Sequence, residues 1–323
     1  MHFRISISLL LTLTSLLLSQ PSTASKSVPS TTVIYQFPKS PTWIENLAIL
    51  PNNQILLSLT TAPEVRLLDP NPPNPSIKLL HTFPYLSALG LVSLTPNLIY
   101  LILGNSTSTS FGAGTFAIWT LNPNTPATTT LLTTFPSAGL LNGLTLLCPS
   151  ILALSDSTTG CIRLLNTYTN QSSILSRAPE MAPPTPFSIG INGLRTLVLG
   201  NRTYIYFANT GLSLFGRLPV DLSTLVPAGD VEILARNVTV DDFALDVRRG
   251  VAWLAGSAMN ALLKVGLAGG EVEVVVGGGD GGVLPGPTSV AVGEGGEVFV
   301  STSGRVDGVV VEGGKVVRVD VGW

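Results

Sequence analysis

Cysteine and histidine are nearly missing from these 323 residues, with two of each. Two cysteines, Cys148 and Cys161, exclude a disulfide-built scaffold. His2 lies at the extreme N-terminus, so His81 is the one histidine of the remaining chain. A Ser-His-Asp triad has that single candidate for its base, and His81 falls in a run that reads as an outer strand. Charge is scarce as well, at 11% of residues, and its 17 basic and 19 acidic side chains give a net −2. No basic cluster stands out, which excludes nucleic acid as a partner. Gly277–Gly282 is a glycine run without the strand-to-helix context of a phosphate loop, so it reads as a flexible connection.

Glycine (32) and proline (24) are abundant, and 45% of the residues are hydrophobic. Such a composition suits many short buried strands joined by tight turns, and argues against a helical bundle. The N-terminus reads as a secretory signal over residues 1–24. Arg4 supplies the positive charge, Ile5–Leu18 an apolar core, and Ser22-Thr23-Ala24 a cleavage site of small residues. That core is shorter than the ~20 residues a membrane span needs, and no later run qualifies. An uncleaved anchor is the alternative. A Ser/Thr/Pro-rich linker fills 25–31. Sequons at Asn105, Asn170, Asn201 and Asn237 agree with secretory passage and make these asparagines candidate glycosylation sites.

The stretch Ser188–Gly211 joins a polar pair, Asn192-Gly193, to two strand-like runs around a turn at Gly200-Asn201. The same order recurs from Glu45-Asn46, Leu89-Gly90, Asn142-Gly143, Asp241-Asp242 and Thr288-Ser289, followed by two further outer runs except in the last copy, which has one. Repeats of about 40–50 residues holding four short strands have the size of a propeller blade. The last copy lacks one strand, and the run Thr32–Phe37 is left over at the other end. An all-β, six-bladed β-propeller over residues 32–323, closed by the N-terminal strand, is the expectation. A seven-bladed ring and a sandwich are the competing folds. In this meander Cys148 closes one strand and Cys161 opens the next but one, at opposite ends of the sheet. Two free, buried thiols are therefore predicted.

Aligned on the residue before each first strand, the copies place Glu45, Leu89, Asn142, Asn192, Asp241 and Thr288 around one channel mouth. Second strands return there with Thr60, Asn105, Asp156 and Asn209. Two carboxylates and two carboxamides on one axis make a plausible site for Ca²⁺ or another divalent cation, with Glu45, Asn142, Asn192 and Asp241 as ligands. The plain alternative is that Asn-Gly and Asp-Asp are turn residues before strands.

Glu45-Asn46, Asn142-Gly143, Asn192-Gly193-Leu194 and Asp241-Asp242, in that order, resemble the senescence-marker-protein/gluconolactonase/luciferin-regenerating-enzyme superfamily of six-bladed propellers. The resemblance implies a divalent ion held by Glu45, Asn142, Asn192 and Asp241, with Asp241 moving a proton during lactone hydrolysis. One departure is Leu140, which stands where the sugar lactonases of that superfamily carry arginine. With Phe187 and Phe243 flanking the polar pairs, Leu140 points to an apolar substrate. The segments Trp43–Ala48, Phe135–Thr145, Ser155–Gly160, Ile191–Leu194 and Asp241–Asp246 are similar to a fungal secretory branch. That branch includes hetero-Diels–Alderases of tropolone sesquiterpenoid biosynthesis.

What this implies is a cofactor-free cycloaddition of an ortho-quinone methide with a macrocyclic terpene such as hydroxyhumulene. Glu45 and Asp241 would be the catalytic acids, and Asn142, Asn192, Asn209, Leu140, Phe187 and Phe243 the substrate-binding residues. A divalent-metal-dependent lactonase is the second reading and a non-catalytic binding propeller the third. The expected partners are small apolar molecules, and the expected location is the secretory pathway.

Overall fold

The computed structural model describes residues 29–71, 75–107, 109–124 and 126–322. The signal segment and most of the linker lie outside the described residues. Six four-stranded antiparallel meanders make up the fold, one of them carrying an additional short strand. Blade 1 runs Ile44–Ile49, Ile55–Leu59, Glu64–Asp69 and Ser76–Thr82. Blades 2 to 5 repeat this order from inner strands Ser87–Thr95, Leu141–Cys148, Ile191–Leu199 and Phe243–Asp246. Blade 6 takes Pro287–Val292, Val298–Thr302 and Lys315–Asp320 from the C-terminal end. Its outermost strand is Ser30–Gln36, paired antiparallel with Lys315–Asp320. The closing strand expected from the leftover N-terminal run is therefore in place, two residues longer at its start.

Six apolar clusters fill the six blade-to-blade interfaces, from Ile34, Ile44 and Val316 between blades 6 and 1 to Ala244, Trp253 and Val317 between blades 5 and 6. A blade is apolar on both faces because each face meets a neighbour, and closing the circle leaves no blade face unpartnered. Among the described residues no α-helix forms; Pro179–Met181 and Ser257–Met259 are single 3₁₀ turns.

Both cysteines are free, as the meander requires. Cys148 pairs with Ile151 at one end of blade 3 and Cys161 with Asp156 at the other. Cys161 is buried but Cys148 is only half-buried, which corrects the expectation of two buried thiols. His81 lies in the outer strand of blade 1, its ring 4.6 Å from that of Phe83.

One local feature recurs and positions everything below. In blade 1 the register steps from Ile44↔Leu59 to Asn46↔Ser58, so Glu45 is an extra residue. The same single-residue excess occurs between Ala88 and Leu91, Leu141 and Leu144, Ile191 and Leu194, and Pro287 and Ser289. In blade 5 Ala255 is bonded to both Asp241 and Asp242, donating to the second and accepting from the first. Every inner strand thus carries a β-bulge at the polar pair, and a bulge re-aims a side chain out of the regular pleat.

Candidate functional site

The bulges bring Glu45, Asn192 and Asp241, three of the six aligned positions, into one polar cluster at the channel mouth. Asp241 accepts a hydrogen bond on Oδ1 from Asn192 Nδ2 at 2.7 Å, and Asn192 Nδ2 also donates to Thr210 Oγ1 at 2.9 Å. Thr60 Oγ1 donates to Glu45 Oε2 at 2.9 Å, so this second-strand end does return to the ring. Asn142 sits at the equivalent bulge of blade 3 and is buried. The other two positions are structural. Thr288 Oγ1 donates to the Ile44 carbonyl and exchanges a hydrogen bond with Ser301, stapling blade 6 to blade 1. Leu89 packs between blades 2 and 3.

Glycine explains how the inner strands come so close. A Cβ on Gly143 would collide with the Asn192 carbonyl, and one on Gly193 with the Asp242 side chain. The Asn-Gly pairs are thus a bulged asparagine followed by a contact point between blades. Where this second position is not glycine, it forms a layer of its own below the mouth. Asp242 Oδ2 accepts from Asn46 Nδ2 at 2.8 Å, from Ser289 Oγ at 3.0 Å and from Arg195 at 2.7 Å. Side chains of blades 1, 4, 5 and 6 meet there and plug the channel. On the far side of the plug the channel reopens as a cavity of about 380 Å³, lined by inner-strand residues such as Leu47, Leu91, Leu144 and Val290, with Arg195 in its wall.

Burial dominates the electrostatics of the mouth. It pushes the Glu45 carboxyl up to about 7, the charge of Asp242 pushing the same way, while the hydrogen bond from Thr60 and the Trp43 indole pull it back. Asp241 is raised well above the ordinary carboxylate range by burial first, then by Glu45 and Asp242, against the hydrogen bond from Asn192. The charge of Glu45 is one cause of the rise at Asp241, so the two carboxyls are electrostatically linked. The arginine nearest the axis, Arg195, is already committed to Asp242.

These residues suit a hard cation in one respect. Asp241 Oδ2 and the Asn192 oxygen accept no hydrogen bond from the described residues, and a divalent ion would relieve the repulsion between the carboxyls. No group of three or more His, Cys, Asp or Glu side chains is arranged for a metal among the described residues, so carboxamides and water would complete its shell.

Several residues expected at the mouth are elsewhere. Phe243 is fully buried between blades 4 and 5, its ring 4.8 Å from Phe215 in an edge-to-face contact, because its strand turns it into the interblade core. Leu140 is buried between blades 2 and 3. Asn209 is committed to the backbone: Nδ2 donates to the Glu180 and Ala182 carbonyls and Oδ1 accepts from Leu212 N–H. It anchors the 177–190 connection rather than facing the axis. Phe187, on that connection, is 89% exposed. Asp156 does not join the mouth either, since it binds the backbone of Gly139 and Leu140 and a buried Arg163.

Sequence reasoning passed over Trp43 and Arg305. Trp43 lies just before the Ile44–Ile49 strand, and Arg305 comes from a small hairpin, Arg305–Val306 with Val309–Val310, that interrupts blade 6. The Arg305 guanidinium stands 5.4 Å over the Trp43 ring. The run Trp43–Ala48 carried the only signal for Trp43; nothing in the sequence singled out Arg305.

No protein-family model matches the chain, and no curated protein is similar to it in sequence. Its shape, by contrast, is shared with many solved structures. A luciferin-regenerating enzyme is 16% identical with a TM-score of 0.66, covering 90% of this chain and 95% of that one. A calcium-binding regucalcin of Agrobacterium tumefaciens is 16% identical with a TM-score of 0.62, covering 89% and 92%. The PQQ-bound aldose sugar dehydrogenase of Streptomyces coelicolor is 15% identical with a TM-score of 0.59, covering 90% and 98%. The likeness is one of fold. Propellers with enzymatic and calcium-binding members are the company this chain keeps, and its own chemistry has to be argued from its own mouth.

Proposed function

We propose that the protein is an enzyme acting on small apolar molecules at the Glu45–Asp241 mouth, and that its reaction is a hetero-Diels–Alder cycloaddition. The carrying observation is the buried carboxyl pair, both members of which burial raises above the ordinary carboxylate range. The protonated member of the Glu45–Asp241 pair gives a proton to the benzylic hydroxyl of a phenolic precursor; the C–O bond breaks and water leaves. Its carboxylate partner takes the phenolic proton, and an ortho-quinone methide results. A macrocyclic alkene held beside it then forms one C–C and one C–O bond, with no atom lost. Positioning supplies most of the acceleration, and a hydrogen bond to the quinone methide oxygen lowers its electron demand barrier. Exposed Leu86, Phe187 and Leu212 on the loops at this end of the blades suit an apolar pair of substrates.

The test is product formation from a humulene-type alkene and a quinone methide precursor, with and without chelator. Glu45→Gln and Asp241→Asn should each lower the rate by about 100-fold or more, the usual span of a lost acid or base. Full rate and full stereoselectivity in both variants would end the proposal.

A second reading, hydrolysis of a lactone with a divalent cation, is favoured by the uncommitted oxygens of Asp241 and Asn192. Glu45, Asn142, Asn192 and Asp241 would hold the ion, which when bound would polarise the lactone carbonyl. Asp241 would move the proton. Chelator-sensitive opening of a lactone panel selects this reading, and silence in both assays selects a binding propeller. The secretory route belongs to the same proposal. All four sequon asparagines are exposed, and a mass decrease on glycosidase treatment would report their modification.

A further inference from the structure

The cavity of about 380 Å³ beyond the plug takes no part in the chemistry of the mouth. It is partly open, and its volume falls within the ~300–1,000 Å³ range of small-ligand pockets. All six inner strands contribute to its wall, almost wholly with leucine, isoleucine, valine and alanine. Ser93, Thr145 and Thr196 are exceptions, and Arg195 is the single charged side chain among the described residues that line it. A wall that is apolar with one strong polar group holds a small molecule by its hydrocarbon surface and orients it by hydrogen bonding.

Arg195 is placed for that role. Nη2 donates to Asp242 Oδ2 and Nη1 to the Leu194 carbonyl, each at 2.7 Å, and the guanidinium carbon stands 5.7 Å from the centre of the Phe243 ring. These contacts fix the planar fork. A guanidinium has five N–H groups, and the other three make no hydrogen bond among the described residues. The side chain is 23% exposed although it lies inside the ring of inner strands, so the cavity is where that exposure falls. Behind it the plug is already satisfied: Asp242 Oδ2 has three donors, and Oδ1 accepts from the Phe243 N–H at 2.8 Å.

We infer that this cavity is a second ligand site, distinct from the mouth, for a small neutral molecule that is mostly hydrocarbon and carries a carbonyl oxygen, which Arg195 holds. Charge decides between a carbonyl and a carboxylate. The Arg195 charge is matched by Asp242 at 2.7 Å, so an anion would bring an unmatched charge among apolar walls, at high cost. A carbonyl oxygen accepts from a charged donor without that cost. The inference is independent of the reaction at the mouth, since Asp242, Asn46 and Ser289 close the channel between the two spaces.

The probes are two pairs of similar skeleton, cycloheptanone against cycloheptene and camphor against camphene, binding to the full-length protein followed by calorimetry. At least one ketone should bind one-to-one and about ten-fold more tightly than its hydrocarbon, the worth of a hydrogen bond to a charged donor. Ala48→Phe and Ala291→Phe, at partly exposed positions of the wall, fill the space and should each weaken ketone binding about ten-fold or more. Arg195→Met keeps an apolar stem and removes the fork, so it should abolish the preference for the ketone and leave hydrocarbon binding unchanged. If loss of the Asp242 partner unfolds that variant, the two filling variants decide. Glu45→Gln, at the mouth, should leave ketone binding as it is. Failure of both ketones to bind, equal binding of ketone and hydrocarbon in both pairs, or ketone binding that the filling variants leave intact overturns the inference. So does loss of ketone binding in Glu45→Gln, which would put the ketone at the mouth. Adduct formation is measured separately, so the cycloaddition and the second site can each fail alone.

Discussion

Glu45 shows how a single side chain at the mouth bears on stability as well as chemistry. Its carboxyl rises from an ordinary 4.5 to about 7 on folding, chiefly through burial. The sign follows from linkage: the folded protein holds a proton that the unfolded chain releases between those values. The penalty is absent below pH 4.5, grows through that window and is complete above pH 7, where it reaches roughly 3 kcal/mol. Glu45→Gln should therefore raise the melting temperature at pH 8 and leave it almost unchanged at pH 4. A variant that melts lower at pH 8 would mean the carboxylate is compensated by something else. Two phenylalanines separate packing from exposure in the same way. Phe243→Ala removes a fully buried ring and should cost about 3–5 kcal/mol in denaturant unfolding, whereas Phe187→Ala should stay within about 0.5 kcal/mol.

Among elements, the bulged inner strand is the unit that repeats. Its glycines are contact points between blades, so Gly143→Ala should cost about 1–3 kcal/mol by forcing Cβ into the Asn192 carbonyl. Gly200→Ala is the useful control: it sits in a turn with open space around it, and its positive φ is the only obstacle. The strands themselves were legible in the sequence because short apolar runs between Gly, Pro and Asn turns leave little choice of structure. The polar pairs were legible too, as recurrent Asn-Gly and Asp-Asp. What those pairs do was half hidden. A bulge shifts the pleat by one residue, so alternation alone assigns the following side chains to the wrong face. That shift is why Phe243, a flanking residue by spacing, belongs to the core; Leu140 precedes its bulge and is packed between blades 2 and 3 from the connection leading into the strand. Asn209 was misplaced for another reason: a 3₁₀ turn at Pro179–Met181 brings two carbonyls within its reach, and nothing local in the sequence announces that contact.

At the scale of the whole molecule, the ring depends on one long-range pairing. Ser30–Gln36 fits against Lys315–Asp320, and Gln36 adds a hydrogen bond to Glu312 at 2.9 Å. Removing Ser30–Gln36 should leave the Lys315–Asp320 edge unpaired, with a lower melting temperature and concentration-dependent aggregation by light scattering. Unchanged melting would mean that blade 6 is stable with three strands. The repeat count made this architecture readable, since six copies with one strand missing at the end and one spare at the start admit a single tidy closure. The plug of Asp242, Arg195, Asn46 and Ser289 was not readable, because it joins four blades that are far apart in sequence.

That pairing has a bearing on synthesis. Of the propeller's strands, the one that completes blade 6 is made first and its partner last, so the circle cannot close until Lys315–Asp320 has been made. The contacts among blades 1 to 5 need nothing beyond Gly277, whereas Ser30–Gln36 has no partner until Lys315–Asp320 exists. A chain that stops before Lys315 already contains Glu45, Asn142, Asn192 and Asp241 and still presents an unpaired strand. In the compartment where it folds, a truncated molecule would carry that strand as a visible mark of incompleteness, and a finished one would hide it.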